Sequence, residues 1–135
     1  MPLTLEIVTP EASVYSDTID SVVIPTVEGE VGILPGHIAL LAQVADGELR
    51  VTKGNETKFL AVAGGFAQVG GDKVRVLAER AITEEKIDEH AVEAALKRAE
   101  QQIADAKHAD PDQFEHLQEM VRFAGVQLAV KRRRR

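Results

Sequence analysis

The chain contains no cysteine, which removes disulfides, thiolate nucleophiles and cysteine-based zinc sites together and suits a reducing compartment. Aromatic residues amount to 4%, so a core has to be assembled from Val, Leu, Ile and Ala. No apolar run approaches the roughly 20 residues that a membrane-spanning helix requires, so a soluble protein is expected, with membrane association only through partners. The opening Met1-Pro2-Leu3-Thr4 lacks a basic stretch followed by an apolar one, and no secretory signal is expected. A net charge of −6 argues against a general nucleic-acid binder, although the final run Lys131-Arg132-Arg133-Arg134-Arg135 departs from that balance. The second half is also short of punctuation. Nine of the ten glycines and four of the five prolines precede residue 72, leaving only Pro111 and Gly125 beyond it.

With 135 residues, 44% of them hydrophobic, there is material for one ordinary domain or two small ones. The uneven punctuation marks a change from short, turn-linked elements to long uninterrupted ones. Strand patterns fill the first half. Leu3, Leu5 and Ile7 alternate with Thr4 and Glu6 until Pro10 stops the run, and Val22-Val23-Ile24 is expected to stop at Pro25 in the same way. Leu49 and Val51 lead to the turn signal Lys53-Gly54-Asn55, and the chain returns through Phe59 to Val62. Gly64-Gly65 marks a bulge or a close backbone approach. Val69 runs into Gly70-Gly71, after which Val74, Val76 and Ala78 alternate again. Short strands at this spacing point to an all-β sandwich or barrel.

From about Thr83 the period becomes helical. Val92, Ala95, Leu96, Ala99, Ile103 and Ala106 share one face, with Asp88 as the N-cap and a stop near Lys107-His108-Ala109. Asp110-Pro111-Asp112-Gln113 is a second helix start, combining a capping acid with proline at the first helical position. Phe114, Leu117, Val121, Ala124 and Leu128 then repeat at the spacing of a packing seam, so an antiparallel hairpin is expected.

Catalytic chemistry finds little purchase. Ser13, Ser16 and Ser21 stand in the strand region without a nucleophile-elbow context. His37, His90, His108 and His116 include no pair at the helical i, i+4 ligand spacing, and no acidic cluster completes a metal site. Glu84-Glu85 falls at a helix start, where the helix dipole accounts for it. The stretch Gly29-Glu30-Val31-Gly32-Ile33-Leu34-Pro35-Gly36-His37 is no phosphate loop, because no Gly-Lys-Ser/Thr follows. It reads as an apolar strand pinched between glycines, ending in a Pro-Gly turn with a histidine at its shoulder.

That stretch, from Glu28 to His37, resembles the epsilon subunit of bacterial and chloroplast F-type ATP synthases, and Ile38-Ala39-Leu40-Leu41 continue in the same style. Ala63-Gly64-Gly65-Phe66-Ala67-Gln68-Val69, Lys73-Val74-Arg75-Val76-Leu77-Ala78, and the opening Val8-Thr9-Pro10-Glu11 with Val14-Tyr15-Ser16 agree with it. The resemblance covers nearly the whole chain and is closer in the first half. It implies a β + α protein of two domains: a two-sheet β-sandwich at residues 1–82 and a movable antiparallel helical hairpin at residues 83–135. It also implies a subunit without a catalytic site of its own, peripheral to the cytoplasmic face of a bacterial plasma membrane. Its implied partners are the gamma shaft, the membrane c-ring and, when the hairpin extends and blocks ATP hydrolysis, the catalytic alpha/beta head.

The resemblance assigns Glu30 to the contact with the c-ring's polar loop, with Gly32 and His37 beside it in the same motif. In relatives that bind ATP, an Ile/Leu-Asp-X-X-Arg-Ala motif serves the nucleotide. Here Ile87-Asp88-Glu89-His90-Ala91-Val92 keeps the aspartate and has Ala91 in place of the arginine. Arg98 stands where the family has a further basic contact, while Phe123 and Gln127 occupy positions that supply arginines elsewhere. Losing those guanidinium forks removes most charge-assisted bonds to a triphosphate, so no cofactor is expected and ATP should bind weakly or not at all. Arg122 and the tail, Lys131, Arg132 and Arg133 foremost, are implied to meet acidic surface on the head. The other reading of the tail is a solvated, frayed helix end. A sandwich-plus-hairpin adaptor of another complex is the alternative to the whole assignment.

Overall fold

A computed structural model describes residues 2–105 and 110–133. The sequence expectation of Ala106 on the first helix, and of a stop near Lys107-His108-Ala109, lies outside the described residues, as do Arg134 and Arg135. Ten strands come first: β1 (Leu3–Val8), β2 (Ser13–Ile19), β3 (Ser21–Thr26), β4 (Gly29–Ile33), β5 (Leu40–Gln43), β6 (Gly47–Lys53), β7 (Glu56–Ala63), β8 (Phe66–Gly70), β9 (Lys73–Leu77) and β10 (Arg80–Thr83). A single 3-10 turn at Glu84–Lys86 leads to α1 (Glu89–Asp105) and α2 (Pro111–Arg133).

The strands form two five-stranded sheets, ordered β2-β1-β9-β8-β5 and β10-β7-β6-β3-β4. Neighbours are antiparallel except β1 and β9, which run parallel from Thr4↔Lys73 to Val8↔Leu77. Alternation decides which side chains face inward. Leu3, Leu5 and Ile7 meet Val74 and Val76 from the first sheet, and Val22, Ile24, Leu49, Val51, Leu60 and Val62 from the second, in one buried cluster. This aliphatic core agrees with the low aromatic content; Tyr15 packs against it only in part.

The sheets are tied together where the chain crosses between them. Lys53 at the end of β6 donates to both Asp17 carboxylate oxygens on β2, at 3.1 and 3.0 Å, and the Gly54 N–H donates to Asp20 at 2.6 Å. The Lys53 hydrogen bond, helped by the Thr18 N–H, holds Asp17 below the usual carboxylate range. The stability from this pair is present above the unfolded-state pKa and is lost as pH falls through the lowered folded value.

The turns obey their glycines. Gly54 and Gly71 take positive φ in the β6–β7 and β8–β9 hairpins. Gly65 marks the close approach expected of the Gly64-Gly65 pair: at φ 96° a Cβ would sit 1.9 Å from the Leu77 carbonyl oxygen. Pro25, by contrast, does not end its strand, and β3 continues through it to Thr26. The ladder from β3 to β6 has already finished at Val23, so the missing N–H interrupts no bond there.

Three strands escape sequence patterning. β2 is a largely polar edge strand, and β5 and β10 have four residues each. β10 runs up to Thr83, where the sequence pattern places the onset of the helical period, and α1 starts only at Glu89. Both caps appear as expected: Asp88 accepts from the Ala91 N–H at 3.1 Å, and Asp110 from the Asp112 N–H at 3.1 Å. Leu117, Ala124 and Leu128 form the buried seam of α2, facing α1 and its buried Ala99.

A second face of α2 settles where the hairpin lies. Phe123, Val126 and Val130, with Val92 and Ile87, cover Phe59 and Ala61 on β7 and Ile82 on β10. The hairpin is therefore folded down on the outer face of the second sheet. β7 is enclosed on both sides, with Leu60, Ala61, Val62 and Ala63 all buried.

Gly65→Ala should destabilise the protein by about 3 kcal/mol or more, since backbone would have to move at a positive-φ position. Gly32→Ala, with open space around the new methyl and no positive φ, should change stability by less than about 0.5 kcal/mol. Urea unfolding of both variants checks the contrast.

Candidate functional site

Glu30 lies on β4, the edge strand of the second sheet, opposite Pro25. Its side chain is 56% exposed and approaches Arg50 on β6 at 3.4 Å. Gly32, two residues along the same edge, borders open space, so the fold does not require glycine there and backbone is left accessible to a neighbour. Pro35-Gly36 makes the expected turn, closed by the His37 N–H to the Leu34 carbonyl at 3.1 Å. His37 Nδ1 lies 2.7 Å from the Ile38 carbonyl oxygen, a contact that requires the proton on Nδ1. His37 therefore shapes the turn, and Glu30 and Gly32 present themselves outward.

An apolar surface missed by sequence patterning continues from this edge. Leu34 and Ile38 in the β4–β5 connection are exposed. On the outer face of the first sheet, Leu41, Phe66 and Leu77 expose 70, 54 and 47% of their surface. Phe66 stands opposite both Gln43 and Leu77, so β5, β8 and β9 bring these side chains together. The strand alternation could have announced Phe66 and Leu77, because they fall on the parity opposite to buried Ala67 and Val69 on β8 and Val74 and Val76 on β9.

The nucleotide candidates are only partly united. A cleft of about 530 Å³ lies between β10, the start of α1 and the middle of α2, and Asp88 lines it together with Ala91, Phe123 and Gln127. Arg98 is exposed on α1 and is not among its lining residues. Two cations that the motif did not indicate, Arg80 and Lys86, also line the cleft. Their signal was hidden because one sits at the start of a four-residue strand and the other at the end of the 3-10 turn. Ile82, Val92, Met120 and Phe123 make much of the wall apolar. Arg80 approaches Glu119 at 3.9 Å, and Asp88 is engaged in capping α1. Ala91, Phe123 and Gln127 present to the cleft a methyl, a ring and an amide.

The basic end of α2 is not frayed through Arg133. Lys131 Nζ donates to the Glu84 carbonyl at 3.1 Å, Arg132 reaches Glu89 and Glu93, and Arg133 approaches Glu48 at 3.3 Å. Arg122, farther back on the helix, lies 3.6 Å from Asp46. In this arrangement each faces acceptors of the chain itself. Among the described residues no helix is long and apolar enough to cross a membrane.

Residues 2–84 match the model of the ATP synthase delta/epsilon chain β-sandwich domain. The ATP synthase epsilon chain of Halalkalibacterium halodurans is 38% identical over 96% of this chain and 90% of its own length. That of Magnetococcus marinus is 36% identical over 93% and 91%. A chain of the Euglena gracilis mitochondrial ATP synthase superposes with a TM-score of 0.75 at 24% identity, over 95% of this chain and 80% of that one. A chain of the Tetrahymena thermophila mitochondrial central stalk and c-ring assembly reaches 0.56 at 13%, over 99% and 96%. These two likenesses speak for the fold, whereas the domain match and the near end-to-end bacterial identities establish kinship: the chain belongs to the family of ATP synthase epsilon chains.

Proposed function

We propose that this chain is a non-catalytic central-stalk subunit of a proton-translocating F-type ATP synthase, held at the cytoplasmic face of a bacterial plasma membrane through its complex. In this reading residues 1–82 form the coupling unit, which binds the gamma subunit and the c-ring, and residues 83–135 form a regulatory unit. The observation that carries it is the asymmetry of the two outer sheet faces. The hairpin covers one of them, while the other leaves Leu41, Phe66 and Leu77 bare beside an edge that presents Glu30 and Gly32. An apolar strip flanked by a charged edge has the composition of a protein-docking surface.

The hairpin supports the second half of the proposal. Its seat on β7 buries two branched side chains, Ile87 and Val130, each contributing about 1.5–3 kcal/mol, with five partly buried neighbours. Gly125 in the middle of α2 offsets up to about 1 kcal/mol of helix stability. A difference of a few kcal/mol between docked and released forms is within reach of a partner's differential binding. Release would carry α2 to the catalytic head, where Arg122 and the Lys131–Arg133 end would meet acidic surface and oppose ATP hydrolysis.

Capture on immobilised gamma subunit tests the coupling unit. A fragment of residues 1–86, which retains β10 on β7, should bind gamma as the full chain does; a folded fragment that fails to bind removes the assignment. Glu30→Ala should leave stability within about 0.5 kcal/mol, because an exposed ion pair contributes little. It should nonetheless weaken c-ring binding measurably, as should Gly32→Ala.

Deleting residues 87–135 should raise ATP hydrolysis by the assembled enzyme and leave proton-driven synthesis largely intact. Equal hydrolysis with and without those residues would show that the second half is no brake.

Millimolar ATP acting on a micromolar site would add roughly 4 kcal/mol of stability. Given Ala91, Phe123 and Gln127 in the cleft, thermal melting of the isolated chain should show no clear ATP-dependent rise.

A further inference from the structure

We infer that the basic end of α2 is an intramolecular clamp, in which consecutive cations fasten the hairpin to the sandwich and to its own first helix. Lys131, Arg132 and Arg133 reach three different elements: the 3-10 turn through the Glu84 carbonyl, α1 through Glu89 and Glu93, and β6 through Glu48. Successive helical residues point about 100° apart, so such a division of labour requires a helix end lodged among three neighbours. A helix end projecting into solvent would hold at most some of these contacts.

Burial separates this cluster from ordinary surface ion pairs. The Glu48 side chain is only 9% exposed and that of Glu89 only 10%, and each faces a guanidinium of the tail. A carboxylate so far removed from water is costly to keep charged without a cation beside it. Arg50 stands 3.9 Å from the other Glu48 oxygen, so removing Arg133 withdraws the nearer of these two cations and weakens the docked form, whereas release returns Glu48 to water. Arg122–Asp46 and Arg80–Glu119 join the hairpin to the sandwich as well, but at 3.6 and 3.9 Å and with more exposed carboxylates, so they add less. Within this set Arg132 fastens α2 to α1, whereas Lys131 and Arg133 fasten it to the β-domain. The tail's availability to any acidic partner and the lifting of the hairpin are consequently one event. The clamp belongs to the isolated chain and holds whether or not the hairpin restrains hydrolysis.

The absence of cysteine permits a clean probe. Val130 is 1% exposed beneath the docked helix, so in a Val130→Cys background the rate of thiol labelling reads the released fraction of the full-length chain. Adding Arg132→Gln and Arg133→Gln should accelerate labelling about tenfold at low ionic strength. The guanidiniums are 51 and 57% exposed, so about 1 M salt, which shortens the screening length to about 3 Å, should accelerate the parent in part and change the doubly substituted chain less. Exchanging the partners, Glu48→Lys with Arg133→Glu, should label more slowly than Arg133→Glu alone, a rescue that a general folding defect would not give. Equal labelling of parent and doubly substituted chain at low salt would overturn the clamp, as would a charge exchange without rescue.

Discussion

The arrangement depends on β7 being enclosed from both sides. Leu60 and Val62 point into the sandwich, while Phe59 and Ala61 point the other way, beneath α2. A strand with two buried faces cannot leave either to water without exposing apolar surface. The small side chain at Ala61 lets the helix settle close, and β10 widens the platform with Ile82. Covering this face leaves the outer surface of the opposite sheet as the one with large apolar side chains still bare. The orientation of the molecule towards partners thus follows from which sheet the hairpin occupies.

Charge is distributed to suit the same geometry. An acidic chain with a basic terminus looks incongruous as a linear string, yet the acids lie where α2 ends. Glu48 is on β6, and Glu89 and Glu93 are on the first turns of α1, while Lys131 donates to the Glu84 backbone carbonyl in the 3-10 turn. Hydrophobic contact and ion pairing act on the same helix at different ranges. The apolar contact is short-ranged and carries no charge to screen, whereas the pairing of exposed groups is screened. A hairpin held by both can respond to its ionic surroundings without losing its register on β7.

Much of this was legible along the chain, and the failures have physical causes. The alternating strands β1, β6, β8 and β9 and both helix caps were readable because a local pattern matches a local geometry. Pro25 misled because its effect depends on how far a neighbouring ladder extends, which is a property of the sheet. β2, β5 and β10 are short or polar, and long-range pairing defines them more than propensity does. Phe123, Val126 and Val130 were overlooked because the seam facing α1 already accounted for the period of α2. Within the candidate sites, Glu30, Gly32 and Asp88 came from a motif. Arg80 and Lys86 joined the cleft only through tertiary placement, and Arg98, level with the motif in sequence, stayed outside it.

The single parallel pairing has a consequence for the order in which the protein can assemble. β1 leaves the ribosome well before its partner β9, which begins at Lys73. Until that strand emerges, Leu3, Leu5 and Ile7 have only β2 beside them in their sheet, and the inner surface stays open. Such distant contacts carry a loop-closure cost that local hairpins avoid, so closure of the sandwich is expected to set the pace of folding. The helices come later still, which makes the platform on β7 ready before the element that covers it. A nascent chain that has emerged past residue 63 and not yet past residue 77 would therefore expose both faces of β7 together, and that is the interval in which the growing protein most needs a chaperone.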